Sequence, residues 1–199
     1  MSTSKKDSRR KDAYIVEPIR SMESVKKIRK MLLDRGELRN ALLFSMAVNN
    51  GTRIGDLLDL KVKHVRHLPI DGSFKFHEQK TAKSSLIVIN QTCHKILTRY
   101  LAESDLEDDD FLFPSQKGKA KLDPRSVNFL VKKWTKEIGL QGNFGCHSLR
   151  KTFGYLQRTV FKADFALLCT KFNHSSPSIT RRYLGVQEDE IRDMLLHQI

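Results

Sequence analysis

Residues 172–185 read FNHSSPSITRRYLG, and residues 145–154 read GCHSLRKTFG. Taken by themselves, both strings set anion-binding side chains on helices. In the second, His147 and Arg150 stand three positions apart, so they share a helix face and can converge on one anion. In the first, His174 precedes Tyr183 by nine residues, across a Ser-Ser-Pro turn that restarts a helix. A third string, GTRIGDLLDL at 51–60, sets Arg53 just after a Gly-Thr turn at a helix start, where backbone donors and the helix dipole favour an anion. Each string alone is ordinary. A single histidine is more often a structural hydrogen-bonding residue, scattered arginines are usually surface charge, and a helical tyrosine usually packs. Their occurrence together, with a lysine on a basic turn, raises them above that background.

Working outward, the periodicity predicts helices over 21–34, 37–49, 54–59, 92–102 and 124–138, the last with Pro124 in its first turn. The 37–49 helix has an almost wholly apolar middle (ALLFSMAV) and reads as a buried core helix. Between Ser73 and Asn90 the period changes to two. Phe74 and Phe76 alternate with Lys75 and His77, SLIVI follows at 85–89, and EQKTAKS lies between them as a basic turn. The expected fold is therefore mixed α/β, mostly helical, with a small antiparallel sheet. Residues 1–20 are expected to form a basic flexible arm, in which Lys5, Lys6, Arg9, Arg10 and Lys11 could touch phosphates, and 21–199 a single domain.

The charge balance narrows the partner. The chain of 199 residues has 36 Lys and Arg against 23 Asp and Glu, a net charge of +13. Six acids crowd into 103–110, so the remainder is more basic still. Such a field attracts nucleic acid or an anionic membrane. The basic helix at 21–34 has only a modest apolar face, Val25, Ile28, Met31 and Leu32, which reads as core, so DNA or RNA is favoured. No run of eighteen apolar residues is present to span a membrane, and no apolar stretch follows the basic start as in a secretory signal. Cys93, Cys146 and Cys169 are odd in number and far apart, which points to a reducing compartment, the cytoplasm.

Taken together, these strings resemble the signature boxes of the tyrosine recombinases, the phage integrase family. The first box is Gly51-Thr52-Arg53-Ile54-Gly55-Asp56, the hairpin lysine is Lys80 in EQKTAKSSLIVI, the second box is HSLRKTF, and the last is NHSSPSITRRY. The match runs from about residue 20 to 199 in the family's order and approximate spacing. The resemblance implies the recombinase catalytic-domain fold and a site-specific DNA recombinase of integrase or invertase type, acting on double-stranded DNA. It implies that Tyr183 attacks a phosphodiester to leave a 3′-phosphotyrosyl link and that Arg53 and Arg150 hold the non-bridging oxygens. In the same scheme Lys80 protonates the departing 5′-oxygen, His147 accepts the tyrosine proton and His174 helps hold the phosphate. Asp56 would orient Arg53 or its helix. The link conserves the bond energy, so neither ATP nor a metal is required and no cofactor is expected.

Asn173 stands where the family typically has glycine, and Lys83, three residues past Lys80, is the alternative general acid. The separate N-terminal helical domain carried by most members is not among these residues, which resembles the short single-domain members; a fragment of a longer product is the alternative. The family's segment after the tyrosine often docks on a neighbouring protomer. That implies a homo-tetramer on DNA from a chain that is a monomer in solution, with Ile191, Met194 and Leu195 as the docking stripe, and a packed capping helix is the competing reading. Arg125, Lys132 and Lys133 are expected at phosphates.

Other candidates fit simpler roles. His64, His67, His77 and His94 lack the partners of a zinc site, and the 103–110 acids lack calcium-loop spacing, so structural roles and a solvated loop are expected. Cys146 and His147 are adjacent and point apart on a helix. Two competing functions remain: a regulator with this fold that no longer recombines, and a type IB topoisomerase. All six catalytic positions being filled disfavours the regulator, and the order of the boxes disfavours the topoisomerase.

Overall fold

The computed structural model describes residues 16–198, apart from 81 and 117. Helix α1 (Met22–Asp34) is capped by Ser21, whose side chain accepts from the amides of Glu23 and Ser24. Helix α2 (Leu38–Asn50) is the axis of the domain: apart from Arg39 and Asn49 its residues are buried, as the apolar run requires. It packs against α1, α4 (Gln91–Ala102) and α6 (Cys146–Thr159). The short α3 (Ile54–Leu58) follows a turn at Gly51. Phe44 of α2 meets Trp134 of α5 (Pro124–Glu137) edge to face at 5.9 Å, closing the middle of the core.

Strands β1 (Gly72–His77) and β2 (Ser84–Ile89) form an antiparallel hairpin with Phe74 opposite Ile87. One face of β2 buries Ile87 and Ile89. The hairpin is tied to the end of α2 through the side chain of Asn50. Its Oδ1 accepts from the Val88 amide at 2.8 Å, and its Nδ2 donates to the Val88 carbonyl at 3.1 Å. A helix-end amide thus extends the ladder and fixes the hairpin three residues before Arg53.

Helices α7 (Phe165–Phe172), α8 (Pro177–Leu184) and α9 (Gln187–Leu195) complete the chain. Phe165, Leu168, Phe172, Leu184 and Val186 form a second, smaller core against Phe153 and Tyr183. The sequence-predicted elements agree with this order to within a residue or two at their ends.

Of the basic arm expected over 1–20, Lys5, Lys6, Arg9, Arg10 and Lys11 lie outside the described residues. Residues 16–20, however, pack on the domain: Ile19 is 1% exposed, and its amide donates to Thr152 Oγ1 at 2.8 Å. The Glu17 amide donates to the Asn143 carbonyl at 2.8 Å, so this segment satisfies its backbone instead of trailing in water. The acidic run is largely exposed, as a solvated loop should be, and it also makes surface ion pairs. Asp108 pairs with Arg66 at 2.7 Å and Asp109 with Lys63 at 2.6 Å, while the Asp108 and Asp110 carbonyls accept from the amides of Lys63 and Val62. The run therefore neutralises the basic turn at 61–66 locally. His64 is structural, its Nδ1 accepting from the Lys61 amide and its ring stacking on Phe74.

Candidate active site

Four separate segments meet at one surface, and Arg150 joins three of them. Its guanidinium donates through Nη1 to the Gly51 carbonyl and through Nη2 to the Phe172 carbonyl at 3.0 Å. It also lies over the Phe172 ring at 4.7 Å. A planar fork with five N–H donors can hold two carbonyls in different segments and keep more than one N–H group for a ligand, where an ammonium would keep one. The Gly51 turn is itself demanding. Its φ is 59°, and a Cβ there would overlap the Phe153 ring, so glycine is required.

Arg53 follows as the N-cap of α3. Its Nη1 lies 2.6 Å from Oε2 of Glu78, which is 1% exposed at the end of β1. The approach is off-axis, and Nη1 makes no hydrogen bond among the described residues. Asp56, one turn into α3, is buried. Its Oδ1 accepts from the Gln79 amide at 3.0 Å, while Oδ2 has no hydrogen-bond partner among the described residues. Burial holds the Asp56 carboxyl above the ordinary range. The Gln79 hydrogen bond opposes that, Glu78 adds to it, and Arg53 and Arg150 pull it back. The carboxylate predicted to orient Arg53 or its helix thus fastens the lysine-bearing hairpin to the start of α3, while Glu78 contacts the arginine.

His147 stands one turn before Arg150 and reaches the surface. Crowding around the ring, then the cations Arg150, Arg53, Lys151 and Lys80, push its pKa below the usual histidine value. Lys80 sits exposed on the hairpin turn, and its charge is felt at His147. His174 is oriented through Nδ1, 2.9 Å from the buried Thr180 Oγ1. Its pKa is lowered by burial, then by Arg150 and Arg53. Asn173 explains the departure from glycine: it caps α7 with φ 56°, a left-handed conformation that asparagine tolerates better than most residues.

Tyr183 lies on α8 against Phe172 at 5.6 Å and His174 at 5.2 Å, with the Lys151 ammonium 5.2 Å from its ring. Its Oη is buried beside the Arg150 guanidinium. Burial raises the phenol pKa, and Arg150 and Arg53 act in the opposite direction. A phenol in this state needs a base to become a nucleophile, and it sits where two arginines would stabilise the negative charge that follows.

Sequence reasoning missed two members of this surface. In the sequence Glu78 is only one residue of a polar turn. Lys171 donates from Nζ to the Leu86 carbonyl at 2.6 Å, latching α7 to β2. Burial, then Arg150, push its pKa down to about 8, while Glu78 acts the other way. Neither has a periodic or spacing signal; the hairpin docking brings both in. Cys146 is excluded as a nucleophile, its thiol donating to the Pro124 carbonyl at 3.0 Å and its pKa pushed up to about 11 by burial.

A helical domain with a lysine hairpin, two arginines, two histidines and a tyrosine on one surface defines the tyrosine recombinase class of catalytic domain. The phage integrase family model matches residues 21–190, and the chain belongs to that family. It is 35% identical over 185 residues to the probable integrase/recombinase YoeC of Bacillus subtilis, spanning 90% of this chain and 94% of that one. It is 25% identical over 177 residues to the tyrosine recombinase XerC of Caldanaerobacter subterraneus, spanning 87% of this chain and 48% of that one. The chain thus spans nearly all of the first relative and about half of the second. Among solved structures, the fold is similar to that of XerA recombinase (TM-score 0.70, 22% identity, 89% of this chain and 64% of that one). It is equally similar to XerH site-specific recombinase bound to a palindromic difH substrate after cleavage (TM-score 0.70, 21% identity, 88% and 51%).

Proposed function

We propose that this chain cuts and rejoins double-stranded DNA through a 3′-phosphotyrosyl intermediate. Arg53 and Arg150 receive the non-bridging oxygens of one phosphodiester, and His174, held by Thr180, supports the same phosphate. The Tyr183 oxygen attacks phosphorus and gives its proton to His147. The bond from phosphorus to the 5′-oxygen breaks, and Lys80 supplies the proton that leaves a free 5′-hydroxyl. A hydroxyl from another strand reverses the steps. The carrying observation is the Arg150 bridge between the Gly51 and Phe172 carbonyls, which sets Arg53, His174 and Tyr183 around one guanidinium.

Assembly on DNA as a homo-tetramer, from a monomer free in solution, is the further part of this reading. It is supported by the exposed apolar side chains of Ile191, Met194 and Leu195 along α9. Deleting 187–199 is expected to abolish assembly on DNA, measured by light scattering; unchanged assembly would exclude the helix from that role. The free thiols Cys93, Cys146 and Cys169 fit work in a reducing cytoplasm. Among the described residues no helix is long and apolar enough to cross a membrane.

The test uses duplex DNA with bridging 5′-phosphorothiolates, whose departing sulfur needs little protonation and rejoins poorly. A denaturant-resistant protein–DNA adduct is expected with the native chain and none with Tyr183→Phe. DNA binding without any adduct would overturn the proposal.

A further inference from the structure

Among the described residues, β2 has a strand on one side only. Leu86 and Val88, two apart, turn their backbone groups to the other edge, where no ladder is available to satisfy them. Two side chains reach that edge. Asn50 takes the Val88 amide and carbonyl, and Lys171 donates from Nζ to the Leu86 carbonyl at 2.6 Å. Each of these residues immediately precedes one that Arg150 holds. Gly51 follows Asn50, Phe172 follows Lys171, and the guanidinium donates to both carbonyls. Arg150 and the outer edge of β2 thus grip the same two segments from opposite sides, and the circuit closes through the hairpin that carries Lys80.

A lysine on α7 is free to extend its head into water with its stem packed. Lys171 instead turns its ammonium to the strand edge, where it is half-buried and feels both Arg150 and Glu78. A cationic donor in such surroundings bonds a carbonyl strongly. On β2 it is the side-chain anchor nearest the turn. The ladder ends at His77 opposite Ser84, two residues past Leu86. Beyond it the Glu78 amide donates to the Lys83 carbonyl at 3.0 Å and the Ala82 amide to the Glu78 carbonyl at 2.8 Å, so the turn moves as one unit with β2. Without Lys171 the next such anchor is Val88, about 7 Å further from the turn. We propose that Lys171 is a positioning residue for Lys80: by fastening β2 to α7 beside Arg150, it sets where the lysine-bearing turn stands when the 5′-oxygen departs. This inference rests on the reading that the chain cuts DNA with Lys80 as its general acid.

The test compares two versions of one duplex, of the sequence recovered from the phosphorothiolate adducts, with either oxygen or sulfur at the 5′ position of the cleaved bond. A nick a few nucleotides beyond the break lets the freed strand diffuse away, so the adduct accumulates with both. Lys171→Met keeps the stem and removes the donor. It is expected to slow adduct formation about 10–100-fold on the oxygen duplex, the cost of a misplaced general acid, and by no more than about threefold on the sulfur duplex. Lys80→Ala should show the same split, and Lys171→Arg, which keeps a cationic donor, should recover most of the oxygen rate. A merely structural residue would slow both duplexes alike, and the ratio of the two rates within one preparation does not depend on how much of it is folded. An unchanged ratio in Lys171→Met, or no recovery in Lys171→Arg, would overturn the assignment of Lys171 alone. A changed ratio in Lys171→Met but not in Lys80→Ala would overturn the route through Lys80. A native chain that yields no adduct from the phosphorothiolate pool would overturn the strand-cutting reading itself.

Discussion

Replacing Glu78 with glutamine separates the charge of this residue from its shape. Glu78 is 1% exposed and lies 2.6 Å from Arg53, which keeps 23% of its side chain in solvent. Removing one partner of a fully buried pair costs about 3–5 kcal/mol. Solvent at Arg53 and the charge of nearby Asp56 each offset part of that, so Glu78→Gln is expected to lose about 1–3 kcal/mol. An anion on the far edge of Arg53 behaves oppositely. At about 6 Å from Glu78 and an effective dielectric near 20 it is repelled by roughly 3 kcal/mol, of which about 1–2 kcal/mol survives screening. The variant should therefore be less stable in dilute buffer yet bind sulfate roughly tenfold more tightly. Urea unfolding with and without sulfate reads both, because a ligand stabilises by RT ln(1 + [L]/Kd). A native-like urea midpoint together with an unchanged sulfate shift would refute the reasoning. A loss of stability with no gain in sulfate response would reduce Glu78 to a structural residue.

Tyr183→Phe removes a buried hydroxyl beside the Arg150 guanidinium, so the adduct should disappear while the urea midpoint falls by no more than about 0.5–1.5 kcal/mol. A larger loss would mean that the hydroxyl also organises the native state. Asn173→Ala should cost about 1 kcal/mol because alanine is strained at φ 56°, and Asn173→Gly should stay within a few tenths; equal midpoints for the two variants would contradict this. His147 and His174 both have folded-state pKa values below the ordinary histidine value. The unfolded chain therefore takes up protons first, and their contribution is full above about pH 6.5 and declines as pH falls toward the folded values. Urea midpoints from about pH 7.5 to 5.5 should fall in the native chain and flatten in a His147→Gln/His174→Gln double variant; a flat native profile would show that the two rings are not perturbed.

Much of the fold was legible because its signals are local. The apolar run in 38–50 could only be a core helix, and alternation about Phe74 and Phe76 with SLIVI after a basic turn could only be a hairpin. Ser21, Asn90, Asp123 and Ser176 cap the helices that follow them, as their hydroxyl, amide and carboxylate chemistry suggests. The packing of residues 16–20 was not legible, since Val16-Glu17-Pro18-Ile19 has no period. What ties it down is a distant hydroxyl, that of Thr152. The pairing of Asp108 with Arg66 and of Asp109 with Lys63 was hidden for the same reason: charge runs carry no record of what faces them.

Of the proposed site, Arg53, Lys80, His147, Arg150, His174 and Tyr183 stand out in the sequence because together, in this order, their strings resemble the family's boxes. The sequence by itself determined which groups are available and a basic charge balance that favours a polyanion. Only the tertiary structure decided that Arg150 spends two donors on the Gly51 and Phe172 carbonyls, that Glu78 faces Arg53, and that Lys171 latches α7 to β2. Those contacts join segments far apart in the chain, and their strength comes from the burial that the whole fold creates around them. A helix face is written in the spacing of its own residues, whereas a buried ion pair exists only once another segment has closed over it.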